Sequence, residues 1–218
     1  MDQLEKKIID AAMRYAKECM AEVPPSHGFD HVIRVVENAK YLAKDESDVD
    51  IFIITVAAIL HDIARHEQDL SGGKVCHAIR GAKMAKDFLL ENGLDAARTA
   101  HITQCILSHR FREESKPETL EAEILFDADK LESIGAIGIG RAFLFAGEIG
   151  AKLHDPNIDE DSTESYSNED TAYREYLVKL RKVKDSMLTK KGMELALSRH
   201  EFMEVFFEQL TNEVKSKT

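Results

Sequence analysis

The chain has 218 residues, 44% of them hydrophobic, which is enough to bury a sizeable core. It carries 40 Asp and Glu against 29 Lys and Arg, and the net charge of -11 argues against a protein that binds DNA or RNA polymers through a broad basic face. Its uncharged run Ile51–Leu60 is about half of the ~20 apolar residues that a membrane span needs. Three cysteines without a CxxC pair, and a charged N-terminus without a signal core, favour a cytoplasmic protein with no membrane partner.

Apolar residues recur at intervals of three and four along most of the chain, which predicts helices and an all-α fold. No run of alternating apolar and polar residues bounded by hairpin turns predicts a strand. The first helix is expected to begin near Leu4 and to end before Pro24-Pro25, because proline cannot continue the backbone hydrogen bonding. Further helices are expected to begin near Asp30 and to cover residues 49–64, 76–91, 96–109, 118–131, 169–186 and 189–214.

The segment 49–64 is apolar on nearly every side, so we expect it at the centre of the bundle, where neighbouring helices cover it. Its last turns carry His61 and Asp62, two side chains that are costly to bury unless something pairs with them. A metal ion is the simplest such partner.

Two other segments have unusual compositions. Gly135, Gly138 and Gly140 interrupt the apolar stretch 134–145, where they could permit close helix packing. A phosphate-binding loop is the less favoured interpretation, because no strand precedes these glycines and no Gly-Lys-Ser/Thr follows. Residues 155–170 are acidic and rich in Ser, Thr and Asn, which is typical of a mobile surface loop and would also suit a lid over a substrate.

Four residues stand out as candidate metal ligands: His31 at the start of the second helix, the pair His61-Asp62, and Asp129 near the end of a later helix. Individually they have plain structural explanations, since His31 could cap a helix and Asp129 could pair with Lys130. Imidazoles and carboxylates that several helices point inward are nevertheless typical of metal sites in bundles. Such a mixed ligand set suits Mn, Fe, Co, Ni or Zn and, less well, Mg.

These residues lie in three stretches, HGFDHVIRV over 27–35, AILHDI over 58–63 and DADKLESIGAIG over 127–138. The order of a His, a His-Asp doublet and a distant Asp resembles the HD-domain superfamily of metal-dependent phosphohydrolases. The stretches look like its single-domain branch, which includes uncharacterised HD hydrolases and HD-fold nucleoside triphosphate pyrophosphohydrolases. The similarity runs over about 27–213 and includes residues 184–185 and 199–203.

The resemblance implies a compact all-α bundle of roughly eight or more helices, formed as a single HD-type domain over residues 1–218. Its core motifs would lie at 27–150 and a C-terminal helical extension at 167–215. The implied reaction is hydrolysis of a phosphoester or phosphoanhydride bond in a nucleotide or small phosphorylated metabolite, by attack of water that a divalent metal activates. The metal ligands implied by the family pattern are His31, His61, Asp62 and Asp129.

A second metal is a further implication of the resemblance. Some HD enzymes bind it through histidines between the doublet and the final Asp, and His77 and His109 lie in that interval. We favour one ion, with both histidines turned to the phosphate as proton donors, and keep two ions as the alternative. Helix capping or a surface position would be the plain explanation for either histidine.

Phosphate contacts are expected from basic side chains near the ligands. Arg34 follows His31 by three residues on the same helix face, where it could hold a phosphate or pair with an acidic neighbour. Lys130 is a second candidate. Asp127 lies about 200° from Asp129 around a helix, so we interpret it as a support for a ligand or a cap. Weaker candidates are Arg65, His66 and Lys74.

The sequence does not choose among a nucleotide pyrophosphohydrolase, a phosphomonoesterase and a phosphodiesterase. A non-catalytic module that senses a nucleotide or binds a partner is the alternative, and the intact set of four ligands argues against it. The expected partner is a small phosphorylated substrate, first of all a nucleotide, and not a nucleic-acid polymer. The sequence leaves the oligomeric state open.

Overall fold

The computed structural model describes residues 1–110, 115–158, 163, 165 and 167–217. Helices carry the fold in this part of the chain and it contains no β-strand, which confirms the all-α prediction. The α-helices are α1 (Gln3–Cys19), α2 (Phe29–Ala43), α3 (Ile51–Leu60), α4 (Arg65–Leu70), α5 (His77–Glu91), α6 (Ala96–Ser108), α7 (Leu120–Leu131), α8 (Gly135–Glu148), α9 (Ala172–Val178) and α10 (Lys190–Val214). Pro25–His27 and Leu180–Ser186 form 3₁₀ helices. None of the described helices is long and apolar enough to cross a membrane.

The chain divides into two compact units. The first consists of Met1–Val23 and His27–Asp129, and the second of Pro24–Ser26 and Lys130–Thr218. Each unit is thus made of two separate stretches of sequence. The single domain over residues 1–218 stays a prediction.

The first unit is built around α3, whose residues from Phe52 to Leu60 are all buried. Helices α1, α2 and α6 pack against it, as a helix that is apolar on every side requires. The Asp50 side chain caps its first turn by accepting hydrogen bonds from the backbone N–H groups of Phe52 and Ile53. These contacts make α3 a rigid, central support for the residues that follow it.

The predicted helix over 49–64 was too long at its C-terminal end. The helix ends at Leu60, and the next four residues form a turn before the short helix α4. The ring of His61 explains part of the difference, because its Nδ1 lies 2.8 Å from the carbonyl oxygen of Ala58 and occupies one of the last free carbonyls of α3. His61 is therefore the C-cap of α3, and Asp62 lies in the turn beyond it.

The second unit contains α8, α9, α10 and the 3₁₀ helix Leu180–Ser186. A single helix over 169–186 was wrong, because α9 ends at Val178 and Lys179 has φ -135° and ψ -57°, outside the helical region. The glycine-rich stretch 134–145 forms most of α8 and no phosphate loop.

Close packing does explain two of the glycines in this stretch. A Cβ at Gly138 would lie 2.3 Å from the carbonyl oxygen of Ser133, closer than any real contact. A Cβ at Gly135, which has a φ of +74°, would lie 2.9 Å from the Arg199 side chain. Arg199 also donates a hydrogen bond to the carbonyl oxygen of Leu131.

Part of the acidic segment 155–170 is fastened to α9 by Arg174, which is 5% exposed. Its Nη1 lies 2.8 Å from Asp170 Oδ1, and it donates two further hydrogen bonds of 2.6 Å to the hydroxyl and carbonyl oxygens of Thr163. The prediction of a mobile loop also falls on residues 159–162, 164 and 166, which lie outside the described part of the chain.

The short segment Pro24–Ser26 is held within the second unit by α8. Glu148 accepts hydrogen bonds from the Ser26 backbone N–H (3.0 Å) and hydroxyl (2.7 Å). Arg141 donates to the Ser26 carbonyl oxygen (2.8 Å) and to that of Glu132 (3.2 Å). Two charged side chains of α8 therefore fix the segment that precedes α2.

Candidate metal centre

His31 of α2, His61 at the C-cap of α3 and Asp129 of α7 converge in the first unit. The Nε2 atom of His31 lies 3.3 Å from Nε2 of His61 and 3.3 Å from Oδ1 of Asp129. The remaining distance, from His61 Nε2 to Asp129 Oδ1, is 3.9 Å. Two ligand atoms that each lie ~2.1 Å from one ion are about 3 Å apart, so this group could hold a metal ion with little movement.

Asp62 turns one oxygen towards this first group. Its Oδ2 lies 3.9 Å from His31 Nε2 and 3.7 Å from His61 Nε2. The structure thus brings together all four ligands expected from the sequence. The other oxygen, Oδ1, faces away from this group and lies 3.1 Å from His77 Nε2.

A second group is formed by Asp62, His77 and His109, all of them buried. The two Nε2 atoms of His77 and His109 are 3.1 Å apart, and His109 Nε2 lies 3.8 Å from Asp62 Oδ1. His77 is the first residue of α5, while His109 directly follows the last residue of α6. Because Asp62 has one oxygen in each group, the two groups adjoin through a single carboxylate.

The hydrogen bonds of three histidine rings show which nitrogen faces these groups. Nδ1 of His61 lies 2.8 Å from the carbonyl oxygen of Ala58, and Nδ1 of His109 lies 2.6 Å from that of Ile106. Nδ1 of His77 lies 2.9 Å from the amide oxygen of Gln68. Oxygens of these types only accept, so each Nδ1 carries the proton and a neutral ring presents a lone pair at Nε2.

This arrangement fits a bound cation. Two neutral rings would point the lone pairs of His77 and His109 at one another across 3.1 Å, which is repulsive unless a positive charge lies between them. A divalent ion bound between the two nitrogens can meet that need. The donor set of imidazole and carboxylate is one that divalent metals accept.

Burial also keeps the rings in the form that a metal needs. It lowers the pKa of His109 to about 3 and also lowers the pKa of His61, so both rings stay uncharged at neutral pH. Burial alone would raise the pKa of Asp62, but the neighbouring His61 and His77 outweigh it and hold that pKa well below its usual range. The site therefore offers ionised carboxylate and neutral imidazole.

Comparison with known proteins identifies the family. A model of the HD domain matches residues 28–134, the range that contains all six residues of the two groups. The uncharacterized protein YpgQ of Bacillus subtilis (strain 168) is 31% identical over 215 residues, which cover 96% of this chain and 95% of that protein. The chain belongs to the HD-domain family.

Solved structures of HD-domain proteins are similar over nearly the whole chain. The crystal structure of Bacillus subtilis YpgQ in complex with ADP is 29% identical, covers 97% of both chains and has a TM-score of 0.73. An HD-superfamily hydrolase from Bacillus thuringiensis is also 29% identical, with 97% and 98% covered and a TM-score of 0.74. A predicted HD superfamily hydrolase from an uncultured Thermotogales bacterium is 27% identical, with 94% and 91% covered and a TM-score of 0.66.

The other predicted site residues of this HD-domain protein lie outside the two groups. Arg34 Nη1 is 2.6 Å from Asp30 Oδ2, the ion pair that was its alternative interpretation. Asp127 is fully buried in α7, two residues before Asp129. Lys130 directly follows Asp129 and is counted in the second unit. Their roles at the site stay predictions.

The weaker candidates lie in and after α4. Arg65 is paired with Asp69 in that helix, with Nε and Oδ1 3.3 Å apart, and His66 is its second residue and partly buried. Lys74 is exposed in the loop that follows. None of the three belongs to a described ligand group.

Gln68 is a site residue that the sequence reasoning missed. It lies in α4, and its amide oxygen is the acceptor for His77. A glutamine in the polar stretch RHEQDL gives no signal of its own, because the contact depends on how α4 packs against α5.

Proposed function

We propose that this HD-domain protein is a metal-dependent phosphohydrolase that acts on a nucleotide or another small phosphorylated metabolite. The observation that carries the proposal is the pair of adjoining His/Asp groups, in which three rings turn Nε2 towards the other members of their group and Asp62 offers one oxygen to each group. Membership of the HD-domain family supports a hydrolytic reaction, since two of the similar solved proteins are described as HD-superfamily hydrolases.

The second group favours two ions over the single ion that we expected first. His31, His61 and Asp129 with Oδ2 of Asp62 would hold one, and His77 and His109 with Oδ1 of Asp62 the other. Mn, Fe, Co, Ni and Zn suit these ligands, and Mg less well. When bound, such an ion lowers the pKa of a coordinated water towards neutrality and neutralises phosphate oxygens.

A nucleotide is the proposed substrate class. The solved YpgQ structure contains ADP, and that protein matches this chain over nearly its full length. Arg34 would contribute a guanidinium to the phosphates, for which it would have to exchange its 2.6 Å contact with Asp30. Lys130 would add a second positive charge. A pyrophosphohydrolase, a phosphomonoesterase and a phosphodiesterase would all use these groups.

The experiment is metal analysis of the purified protein, followed by a screen for phosphate and pyrophosphate release from nucleotides with Mn, Mg, Co and Ni. We expect turnover that depends on an added divalent ion and stops with a chelator. The released product, phosphate or pyrophosphate, identifies the bond that is cleaved. Tight binding of ADP without turnover under any metal would instead favour the non-catalytic sensing module.

Two variants connect activity to the proposed ligands. His61→Ala and Asp129→Ala should each lose the ion of the first group and turnover together, while circular dichroism shows the same helix content as the parent. His101→Ala is the matched control, because this histidine of α6 lies outside both groups and contacts Thr119 and Glu121 instead. Full turnover by metal-depleted His61→Ala protein would refute the proposal.

A further inference from the structure

The side-chain oxygen of Gln68 accepts hydrogen bonds from two directions beside the second ligand group. It lies 2.9 Å from His77 Nδ1 and 3.3 Å from the His77 backbone nitrogen. It also lies 3.2 Å from Nη1 of Arg110. Gln68 itself is only 9% exposed, so these contacts are made in a largely dry environment.

These partners fix which end of the Gln68 amide faces His77. A backbone N–H and a guanidinium N–H can only donate, so the atom that faces them has to be the oxygen and not the amide nitrogen. The same oxygen lies against Nδ1 of His77, so that Nδ1 must be the protonated nitrogen. A rotated amide would present its N–H₂ group and select the opposite tautomer, with a proton on Nε2.

A proton on Nε2 would prevent His77 from binding a metal in the second group, because that nitrogen is the one that faces Asp62 and His109. The tautomers of His61 and His109 are set by the backbone carbonyl oxygens of Ala58 and Ile106. Substituting Ala58 or Ile106 would not remove these oxygens, because they belong to the backbone. Of these three rings, His77 is the one whose tautomer depends on a side chain.

We infer that Gln68 is a positioning residue that sets the tautomer of His77 and thereby controls metal binding at the Asp62–His77–His109 group. Arg110 contributes by holding the amide in the required orientation. Gln68 does not touch the ion or the substrate in this role. The inference rests on the proposed function in so far as it concerns metal, whereas the tautomer can be tested without any metal.

The first test is histidine ¹⁵N NMR on the metal-free protein, which distinguishes a protonated Nδ1 from a protonated Nε2. We expect His77 of the parent chain to carry its proton on Nδ1, and Gln68→Met, whose thioether sulfur is only a weak acceptor, to give a mixture of tautomers. Gln68→Glu should restore the Nδ1 form, because both of its oxygens accept. An unchanged His77 tautomer in Gln68→Met would overturn the inference.

The second test is a titration with Mn(II), followed by calorimetry and by electron paramagnetic resonance. The parent should bind two ions with a spin-coupled signal, while Gln68→Met should bind the second ion about 10- to 100-fold more weakly and lose the coupling. Gln68→Glu should retain both, and so should the control Gln104→Met, which makes the same change at an exposed position of α6. Equal second-ion affinity in Gln68→Met and Gln104→Met would refute control by Gln68.

The two tests separate the inference from the proposed function. If the parent binds no metal but the tautomer changes as expected, the proposed function fails while the role of Gln68 at His77 stands. If Gln68→Met does not fold, Gln68→Asn replaces it, since the shorter side chain keeps the amide but withdraws its oxygen from His77. A parent-like tautomer and second-ion affinity in Gln68→Asn would then count against the inference.

Discussion

His109 is held in its neutral form by burial, which has a consequence for stability. Its pKa falls from the ordinary value of 6.5 to about 3 in the folded protein. Between these pH values the unfolded chain binds a proton that the folded chain does not. The contribution of His109 to the free energy of unfolding is therefore fully present above about pH 6.5 and is lost as the pH falls towards 3. His61, whose pKa is lowered in the same direction, adds to the effect.

We therefore expect chelator-treated protein to lose stability between pH 7 and pH 5, by at most about 1.4 kcal/mol per pH unit for each such histidine. Urea unfolding at the two pH values measures the loss. His109→Gln should show a smaller difference between them, since glutamine does not titrate. Identical pH dependence in the parent and in His109→Gln would contradict this account of the ring.

The three cysteines should differ in reactivity. Burial raises the pKa of Cys105 to about 12 and also raises that of Cys19. Burial acts in the same direction on Cys76, but backbone N–H groups at the start of α5 and the Arg110 guanidinium outweigh it and lower the pKa of this thiol.

At neutral pH we expect iodoacetamide to modify Cys76 first and Cys105 last, as followed by mass spectrometry of the peptides. Cys76→Ser should remove the fast phase and leave the two slower ones. Faster labelling of Cys105 than of Cys76 in the folded protein would be inconsistent with these environments.

At the level of the helices, two glycines of α8 provide a matched pair. A Cβ at Gly138 would collide with the backbone of Ser133, whereas a Cβ at the exposed Gly140 meets nothing within 4 Å. Gly138→Ala should therefore destabilise the protein by about 1–3 kcal/mol, as overpacking does. Gly140→Ala should stabilise it by about 0.5–1 kcal/mol, because alanine favours the helix. Denaturant midpoints measure both changes, and a loss of stability in Gly140→Ala would show that α8 tolerates no side chain there.

The helices were predictable from the sequence where apolar periodicity and a capping residue agree. Asp2, Asp95 and Thr189 cap α1, α6 and α10 close to the expected starts. The end of α3 was not predictable, because the ring of His61 takes a carbonyl of its own helix and no periodicity records that bond. The six-residue helix α4 is too short and too polar to give an apolar stripe.

The candidate site, like the helices, was predictable from the sequence only in part. The four predicted ligands, His31, His61, Asp62 and Asp129, follow from a motif, and the structure brings them together in one place. The shared use of Asp62 by two groups depends on which way each carboxylate oxygen points, which spacing along the chain does not determine. The contact of Gln68 with His77 likewise arises only when α4 and α5 pack together.

For the whole molecule, the interleaving of the two units bears on how the chain unfolds. Pro24–Ser26 belongs to the second unit, yet it connects two parts of the first. Glu148 and Arg141 hold that segment through hydrogen bonds to Ser26. Loss of structure in the second unit would therefore release the connection between α1 and α2.

We accordingly expect one cooperative thermal transition, as the single-domain prediction requires, with equal calorimetric and van't Hoff enthalpies. Glu148→Ala, which removes two of the bonds to Ser26, should lower the melting temperature and broaden or split the transition. Glu201→Ala on the exposed side of α10 is the control and should leave it sharp. Two separate transitions in the parent chain would contradict the single domain.

The burial of α3 from Phe52 to Leu60 also matters while the protein is being made. The helices that cover it are α1 and α2, which precede it, and α6, which ends at Ser108. When the ribosome has reached the middle of the chain, the almost wholly apolar helix α3 has therefore been synthesised before α6, which packs against it. Exposed apolar surface of this kind favours aggregation and chaperone binding on nascent chains. Synthesis that stalls before Ser108 should be the step at which this protein is most readily lost to the cell.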